Sequence, residues 1–259
     1  MKRVLVTVFA LLGALVLPGA GAAAAAQPVQ GKVSGTVIGV AGRTFAVEVS
    51  GGRMPVVRAL SLGADTVTAG DFPYVYGGGH ALAGVASIGI KGPGYNGRRI
   101  GFDCSGSVAA VLSEAGLWPV AAGVPNDAGI IAELLHEHLI ARGRGHGANQ
   151  VTFYDDAGVH IFMNIAGRFF GTSDGGGGGN PNGGAGWLDD GAPDTFSHRY
   201  KAYHLLPGVV GEQTGFERIF TFETRGHAAA ITHGLQLGGA AHVAYTVAPN
   251  GNLVAQSVS

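Results

Sequence analysis

Cys104 is the residue whose type and surroundings most clearly suggest chemistry. It is the single cysteine among 259 residues and stands in the segment Gly101-Phe-Asp-Cys-Ser-Gly106. A glycine-rich segment, Phe72-Pro-Tyr-Val-Tyr-Gly-Gly-Gly-His80, precedes it. Because a cysteine thiolate is a strong nucleophile, Cys104 is a candidate for covalent catalysis.

The residues after Cys104 predict a helix that would hold the thiol in place. Asp103 is a good N-cap residue, which puts Cys104 in the first helical turn. Gly116 is a plausible stop. Apolar residues recur at helical spacing between them: Val108, Val111 and Leu112. At a helix start, free N–H groups and the helix dipole favour a thiolate and can receive the oxyanion of a tetrahedral intermediate.

His160 is the best candidate among the ten histidines for the base that a cysteine nucleophile needs. It opens a strand-like run over residues 160–165, and Ala166-Gly167 predicts a turn. Residues 168–173 would then return antiparallel. A histidine at a strand start can be aimed at the N-terminus of a helix that packs across the sheet, so we pair His160 with Cys104.

Residues 1–26 have the pattern of an export signal. Met1-Lys2-Arg3 is a short positive segment, residues 4–17 are apolar, and Pro18 ends the run. Small residues follow up to Ala26 and offer A-x-A cleavage sites. An apolar run of about 14 residues is shorter than the roughly 20 that span a bilayer, so we predict a cleaved signal, an exported protein and no stable membrane insertion.

Export makes the unpaired cysteine informative. A single cysteine cannot form an internal disulfide, and a free thiol outside the cytoplasm is prone to oxidation. The alternative is that Cys104 is a small apolar residue that only fills space in the core, and its sequence neighbours argue against this.

Composition excludes several classes of protein. With 46% hydrophobic and 13% charged residues, the chain is expected to fold around a core rather than stay disordered. A net charge of −1 argues against a nucleic-acid-binding protein. The 47 glycines show no G-X-Y period, so they indicate turns and loops rather than collagen.

The order of these segments resembles a known family. Pro73-Tyr-Val-Tyr-Gly-Gly, then Phe102-Asp-Cys-Ser-Gly, a helix and a strand that opens with His160 are similar to the NlpC-type cell-wall peptidases, over about residues 71–187. The resemblance implies a papain-like core that cleaves peptidoglycan stem peptides, commonly between D-glutamate and diaminopimelate.

The resemblance also implies roles for single residues. Cys104 matches the nucleophile and His160 the base. Tyr74 matches a tyrosine whose hydroxyl lies near the nucleophile, and Asp103 and Ser105 match the residues that flank the nucleophile. We therefore place Tyr74, Asp103 and Ser105 in the predicted substrate cleft.

The third catalytic group, which orients the base, has three candidates. Alignment by length with the family places it at Thr172. A two-residue turn at Ala166-Gly167 would instead put Ser173 opposite His160. Asp174 is chemically the best partner for an imidazolium. Thr172 stands first, and the sequence does not choose among the three.

Other histidines and glycine clusters predict no metal and no cofactor. His80 could line the cleft, although a plain loop histidine is the simpler alternative. His136 and His138 fall in a predicted helix over residues 126–142, where their spacing points them to different faces. The glycine clusters lack the Gly-Lys-Ser/Thr step of a phosphate loop.

Both ends of the chain predict β structure. Residues 31–68 alternate as short strands, Val56-Val57 among them, and alternation returns after residue 216. The two ends form either one small barrel interrupted by the core or, more simply, two independent β units. Residues 174–194, around Trp187, predict a mobile loop near the cleft or a plain linker.

We therefore expect an α+β protein with a papain-like core, in which the helix bearing Cys104 packs on an antiparallel sheet between small β segments. The predicted segments are a signal peptide at 1–26, a small β unit at 27–70, a peptidase core at 71–206 and a C-terminal β segment at 207–259. The expected function is a secreted or wall-located cysteine hydrolase acting on peptidoglycan stem peptides. A catalytically degenerate wall-binding relative and a cysteine acyltransferase or amidase are the alternatives.

Overall fold

The computed structural model describes residues 30–41, 43–90, 100–119, 123–147, 149–173, 184–188, 198–224, 234–248 and 253–259. The predicted signal peptide at 1–26 lies outside these ranges, as do Asp174 and most of the predicted loop at 174–194. Within them the protein is α+β and mostly strands. No helix of the described ranges is long and apolar enough to cross a membrane.

Four helices and thirteen strands lie in the described ranges. The helices are α1 (Val56–Ala69), α2 (Cys104–Glu114), α3 (Asp127–His136) and α4 (Pro207–Gly211). The strands are β1 (Gln30–Ala41), β2 (Thr44–Pro55), β3 (Ser87–Ile88), β4 (Ile100–Gly101), β5 (Ile140–Arg142), β6 (Val151–Asp156), β7 (His160–Ile165), β8 (Arg168–Ser173), β9 (Gly184–Trp187), β10 (Lys201–Leu205), β11 (Gln213–Glu223), β12 (Ala240–Val247) and β13 (Leu253–Val258).

A closed barrel is built from strands near both ends of the chain. Its order is β1-β12-β13-β11-β2, and the pairing of β1 with β2 closes it. Among the described barrel strands, β11 and β13 pair in parallel and the other neighbours are antiparallel. Phe45 and Phe222 stack inside, 5.2 Å apart and fully buried. The two terminal β segments therefore form one barrel interrupted by the rest of the chain, the first of the two arrangements that the sequence left open.

The second main sheet contains the strand that opens with His160 and packs against helix α2. Its order is β5-β10-β6-β7-β8-β9, and every neighbouring pair is antiparallel. Helix α2 packs on β7 and β8, and α1 packs on α2 and β9. The predicted strand at His160, the turn and the returning strand are confirmed, with φ of 50° at Ala166 and 94° at Gly167, as a type I′ turn requires.

Helix α2 begins and ends where the sequence predicts. The Asp103 side chain accepts a hydrogen bond from the Gly106 N–H at 2.8 Å, so Asp103 is the N-cap. Gly116 has a φ of 66°, a value that favours glycine after a helix end. The helix is buried along its whole length, which fixes Cys104 and Glu114 at opposite ends of a rigid element.

The expected strand at Val56-Val57 is wrong, because helix α1 begins there. Pro55 ends β2, and proline is well suited to the position just before or at a helix start. The buried residues of α1 continue at helical spacing beyond the first two: Leu60, Ala64 and Val67.

The helix expected over residues 126–142 is shorter. His138 has a φ of 55°, and its N–H donates to the Leu135 carbonyl while the Leu139 N–H donates to that of Leu134. This closing pattern ends α3, and residues 140–142 form the edge strand β5 instead.

The loop expected around Trp187 is also partly wrong, since residues 184–187 form β9. The Trp187 ring is buried, its Nε1 donates to Asp65 at 2.7 Å, and the Arg168 guanidinium lies 4.0 Å above it. Burial of the ring and these two contacts hold the segment to the sheet edge.

Candidate active site

Cys104 is the first residue of α2 and lines a cleft of about 300 Å³. Cys104 is 9% exposed, and this exposed part faces the cleft. Four residues predicted for the substrate cleft line it as well: Tyr74, His80, Asp103 and Ser105. The structure thus brings these five predicted residues together.

The glycine-rich loop before His80 is joined to the start of α2 by hydrogen bonds. The Gly77 N–H donates to the Asp103 carboxylate at 3.0 Å, and the Asp103 N–H donates to the Gly78 carbonyl at 3.0 Å. A Cβ atom at Gly106 would collide with that same carbonyl oxygen. Because the backbone of the glycine-rich loop approaches the first turn of α2 so closely, position 106 requires glycine. This close contact fixes the distance between the loop and the helix start.

His80 lies between two acceptors. Its Nε2 is 2.9 Å from both carboxylate oxygens of Asp103, and its Nδ1 is 2.8 Å from the Val124 carbonyl oxygen. Ser105 Oγ donates to Asp103 at 3.1 Å and lies 3.1 Å from Nε2. Since a carboxylate and a carbonyl only accept, both ring nitrogens must donate, which is the imidazolium form.

The charge state of His80 follows from competing effects. Burial of the ring opposes the positive charge, but the hydrogen bond and charge of Asp103, together with the Val124 carbonyl, outweigh burial and raise the pKa of His80. His80 and Asp103 therefore form a partly buried ion pair beside the cysteine.

The Cys104 thiol is held in its protonated form at rest. Burial, followed by the negative charges of Asp103 and Asp127, raises the pKa of Cys104 to about 11. The backbone N–H groups of Ile161 and Ser105 hydrogen-bond to the sulfur and act in the opposite direction. This differs from the expected resting thiolate, because burial and two nearby carboxylates outweigh the helix start.

His160 meets the cysteine through its backbone. The N–H that reaches the sulfur belongs to the peptide group joining His160 to Ile161. The imidazole ring centroid lies 5.9 Å from that of Phe162 and 6.4 Å from that of Tyr200. Among the described residues, His160 is not one that lines the cleft. The predicted pair is thus adjacent along the backbone, and two aromatic rings lie next to the imidazole.

The third predicted residue, Thr172, lies on the sheet face that helix α2 covers. The register of β7 and β8, continued to their outer ends, sets Ser173 opposite His160 and Thr172 opposite Ile161. Side chains alternate between faces, so Thr172 shares the helix-covered face with Ile161. Ser173 shares the face of His160, but its buried Oγ has no hydrogen-bond partner among the described residues. Asp174 lies outside the described residues.

Two carboxyl groups, one at the cleft and one bonded to it from β6, were not predicted. Asp127, the first residue of α3, lines the cleft, and its two oxygens accept the Gly158 N–H at 2.9 and 3.0 Å. Asp155, buried in β6, shares a hydrogen bond with Asp127; burial first, and then the charge of Asp127, raises the pKa of Asp155 to about 6. In sequence, Asp127 looks like a first-turn acid of an ordinary helix, and only the fold brings it to the cleft.

One group of exposed side chains has the chemistry of metal ligands. Glu133, His136 and Glu137 place ligand atoms within 4.8 Å of one another at the far end of α3 from Asp127. Exposed acidic side chains commonly lie this close on a helix surface, and the cleft does not include them.

No family model, no curated protein and no solved structure matches the chain. Its function is therefore inferred from the chemistry of the cleft: a buried thiol at a helix start, backbone N–H groups directed at the sulfur, and a histidine on the adjoining peptide group. Such a set of groups is suited to acyl transfer through a thioester.

Proposed function

We propose that the protein is a cysteine hydrolase that cleaves peptide bonds in peptidoglycan stem peptides. The observation that carries the proposal is the contact between the sulfur of Cys104, which lines the cleft, and the peptide group of His160 and Ile161. A helix bearing the cysteine, packed on an antiparallel sheet whose strand opens with the histidine, also supports a papain-like arrangement.

In the proposed reaction the thiol ionises only as it attacks. The His160 imidazole takes the thiol proton while the sulfur bonds to the substrate carbonyl carbon. The backbone N–H of Cys104, at the start of α2, receives the oxyanion. The imidazolium then protonates the leaving amine, and water hydrolyses the thioester and restores the thiol.

The choice of substrate and location rests on the sequence. The segment order that resembles the NlpC-type peptidases supports peptidoglycan stem peptides, and the signal-like residues 1–26 support action outside the cytoplasm, in the cell wall or the medium. The cleft chemistry alone would also serve an acyltransferase or an amidase.

A second candidate is a wall-binding protein without catalysis. The raised pKa of Cys104 favours it. In that case the cleft would hold a stem peptide without cutting it.

Digestion of purified peptidoglycan tests the proposal. Protein starting at Gln27 is incubated with sacculi and with soluble stem-peptide fragments, and the products are identified by mass spectrometry. The wild type is expected to release fragments cut within the stem peptide, and Cys104→Ser none. His160→Gln is expected to lose about 100-fold or more in rate, as removal of a general base does. His136→Gln, an exposed histidine on α3, is the matched control and should keep full activity.

Each outcome has one meaning. Binding to sacculi without products favours the wall-binding protein, whereas transfer of the acyl group to an added amine favours a transferase. Cleavage by Cys104→Ser at the wild-type rate would show that the thiol is not the nucleophile.

A further inference from the structure

His80 brings a positive charge to the cleft that the proposed reaction does not use as a base. Among the described residues that line the cleft, it is the one side chain that carries a cation, against the carboxylates of Asp103 and Asp127. Both of its ring nitrogens are already bonded, to Asp103 and to the Val124 carbonyl. His80 is therefore not free to accept the thiol proton.

Asp103 has two opposing effects on Cys104. Its carboxylate accepts N–H groups of Gly106 and Gly77, which fixes the helix start and the loop. The same charge opposes ionisation of the adjacent thiol, second only to burial. The Asp103 carboxylate is therefore needed as a hydrogen-bond acceptor, while its negative charge disfavours the Cys104 thiolate.

We propose that His80 is a positioning residue that acts through Asp103: its imidazolium neutralises the carboxylate that caps α2, so that the thiol can ionise beside it while the cap is kept. This inference rests on the proposed function only in that the thiol must ionise to react. It makes the glycine-rich loop part of the reactive site, because that loop delivers His80.

The other charges around the pair do not supply this neutralisation. Asp127 on α3 adds a second negative charge toward the sulfur, and Asp155 on β6 is bonded to Asp127. Tyr74 and Tyr76 are the remaining titratable residues that line the cleft. On the β7 side, the sulfur meets the backbone next to His160.

The rate of Cys104 alkylation by iodoacetamide, followed from pH 6 to pH 10.5, tests the inference. The protein has one cysteine, so the mass increase reports this thiol alone. His80→Gln keeps an N–H donor near Asp103 and removes the charge. We expect it to react about 3- to 10-fold more slowly at pH 8, a loss equivalent to a rise of half a unit to one unit in thiol pKa.

The decisive comparison is made in a second background. Asp103→Asn keeps an N-cap and removes the negative charge, so it should react faster than the wild type. In Asp103→Asn, adding His80→Gln should change the rate less than twofold. A merely structural role for His80 would slow alkylation equally in both backgrounds, or in neither, and that result would overturn the inference.

Two controls keep the test readable. His80→Asn, which places its N–H donor toward Val124 instead, should shift the profile in the same direction, and His136→Gln should not shift it. Alkylation needs no substrate. If the alkylation rates follow the expected pattern but peptidoglycan is not cleaved, the hydrolase proposal is rejected and this inference stands. If peptidoglycan is cleaved but His80→Gln and His80→Asn leave the alkylation profile unchanged, this inference is rejected and the hydrolase proposal stands.

Discussion

At the scale of single residues, Glu114 is the buried acid at the opposite end of α2 from Cys104. One of its carboxyl oxygens accepts the Ile219 N–H of β11 at 3.0 Å, and the residue is 2% exposed. Burial raises the pKa of Glu114 to about 8 from an ordinary 4.5. Near neutral pH the folded protein therefore holds a protonated carboxyl that the unfolded chain ionises.

This difference predicts a pH-dependent stability. Between pH 4.5 and 8 the unfolded state binds fewer protons than the folded state, so the free energy of unfolding must fall as pH rises, at up to about 1.4 kcal/mol per pH unit. Glu114→Gln should remove this part of the slope. Urea unfolding of both proteins at pH 5, 6, 7 and 8 measures it. Asp155, whose pKa is also raised, makes the same contribution to the pH dependence of unfolding in both proteins, so it cancels when their slopes are compared. Parallel slopes for the two proteins would contradict the assignment.

At the scale of elements, the helix start and the glycine-rich loop behave as one unit. Gly106 lies in the first turn of α2, where an added Cβ would meet the Gly78 carbonyl and come within 3.1 Å of the Gly79 Cα. The neighbour is backbone rather than a flexible side chain, so the loop itself would have to move.

Replacing this glycine should therefore destabilise the protein even though alanine is the better helix former. We expect Gly106→Ala to lower the free energy of unfolding by about 1–3 kcal/mol, the usual cost of overpacking. Gly208→Ala in α4, where an added Cβ meets nothing within 4 Å, is the matched control and should be neutral or slightly stabilising. Chemical denaturation of the wild type and the two variants measures their free energies of unfolding. A Gly106→Ala protein more stable than the wild type would show that the glycine-rich loop moves aside at no cost.

Elements with a strong local signal were predictable, and those decided by distant contacts were not. The cap at Asp103 and the two-residue turn after β7 are local, and both are confirmed. Helix α1 was missed because its first two residues also suit a strand, and β9 because its glycines resemble a loop until the Trp187 ring is buried. In the site, Asp127 was missed because only the packing of α3 brings it to the thiol.

At the scale of the whole molecule, the barrel and the helical region share an interface. Helix α2 contacts β11, and α1 contacts both β2 and β11. The two tryptophans, Trp118 and Trp187, are buried in the helical region, and the barrel holds neither. Tryptophan fluorescence therefore reports unfolding of that region alone.

A cavity in the barrel should be detected by these distant tryptophans. Phe45→Ala removes a fully buried ring stacked on Phe222, at an expected cost of about 3–5 kcal/mol. If the two parts unfold together, the urea midpoint measured by tryptophan fluorescence falls with it. Val40→Ala, on an exposed position of β1, should leave the midpoint nearly unchanged. An unchanged midpoint in Phe45→Ala would mean that the barrel unfolds on its own.

The barrel also shows what a single sequence cannot decide. Alternation predicted strands at both ends, but the choice between one barrel and two units depends on pairings such as Gln30 with Thr246, which no local pattern encodes. Closure removes the open edges that two separate units would each have left.

The origin of the barrel strands has a consequence for the order in which the protein can form. During synthesis the hairpin β1–β2 is made first, and the strands that cover its two edges, β12 and β11, are made only after α2 and the whole six-stranded sheet. Until then the hairpin presents unpaired N–H and C=O groups to any other extended chain. We therefore expect aggregation during production, rather than loss of the folded state, to be the main failure of variants that delay β11 or β12.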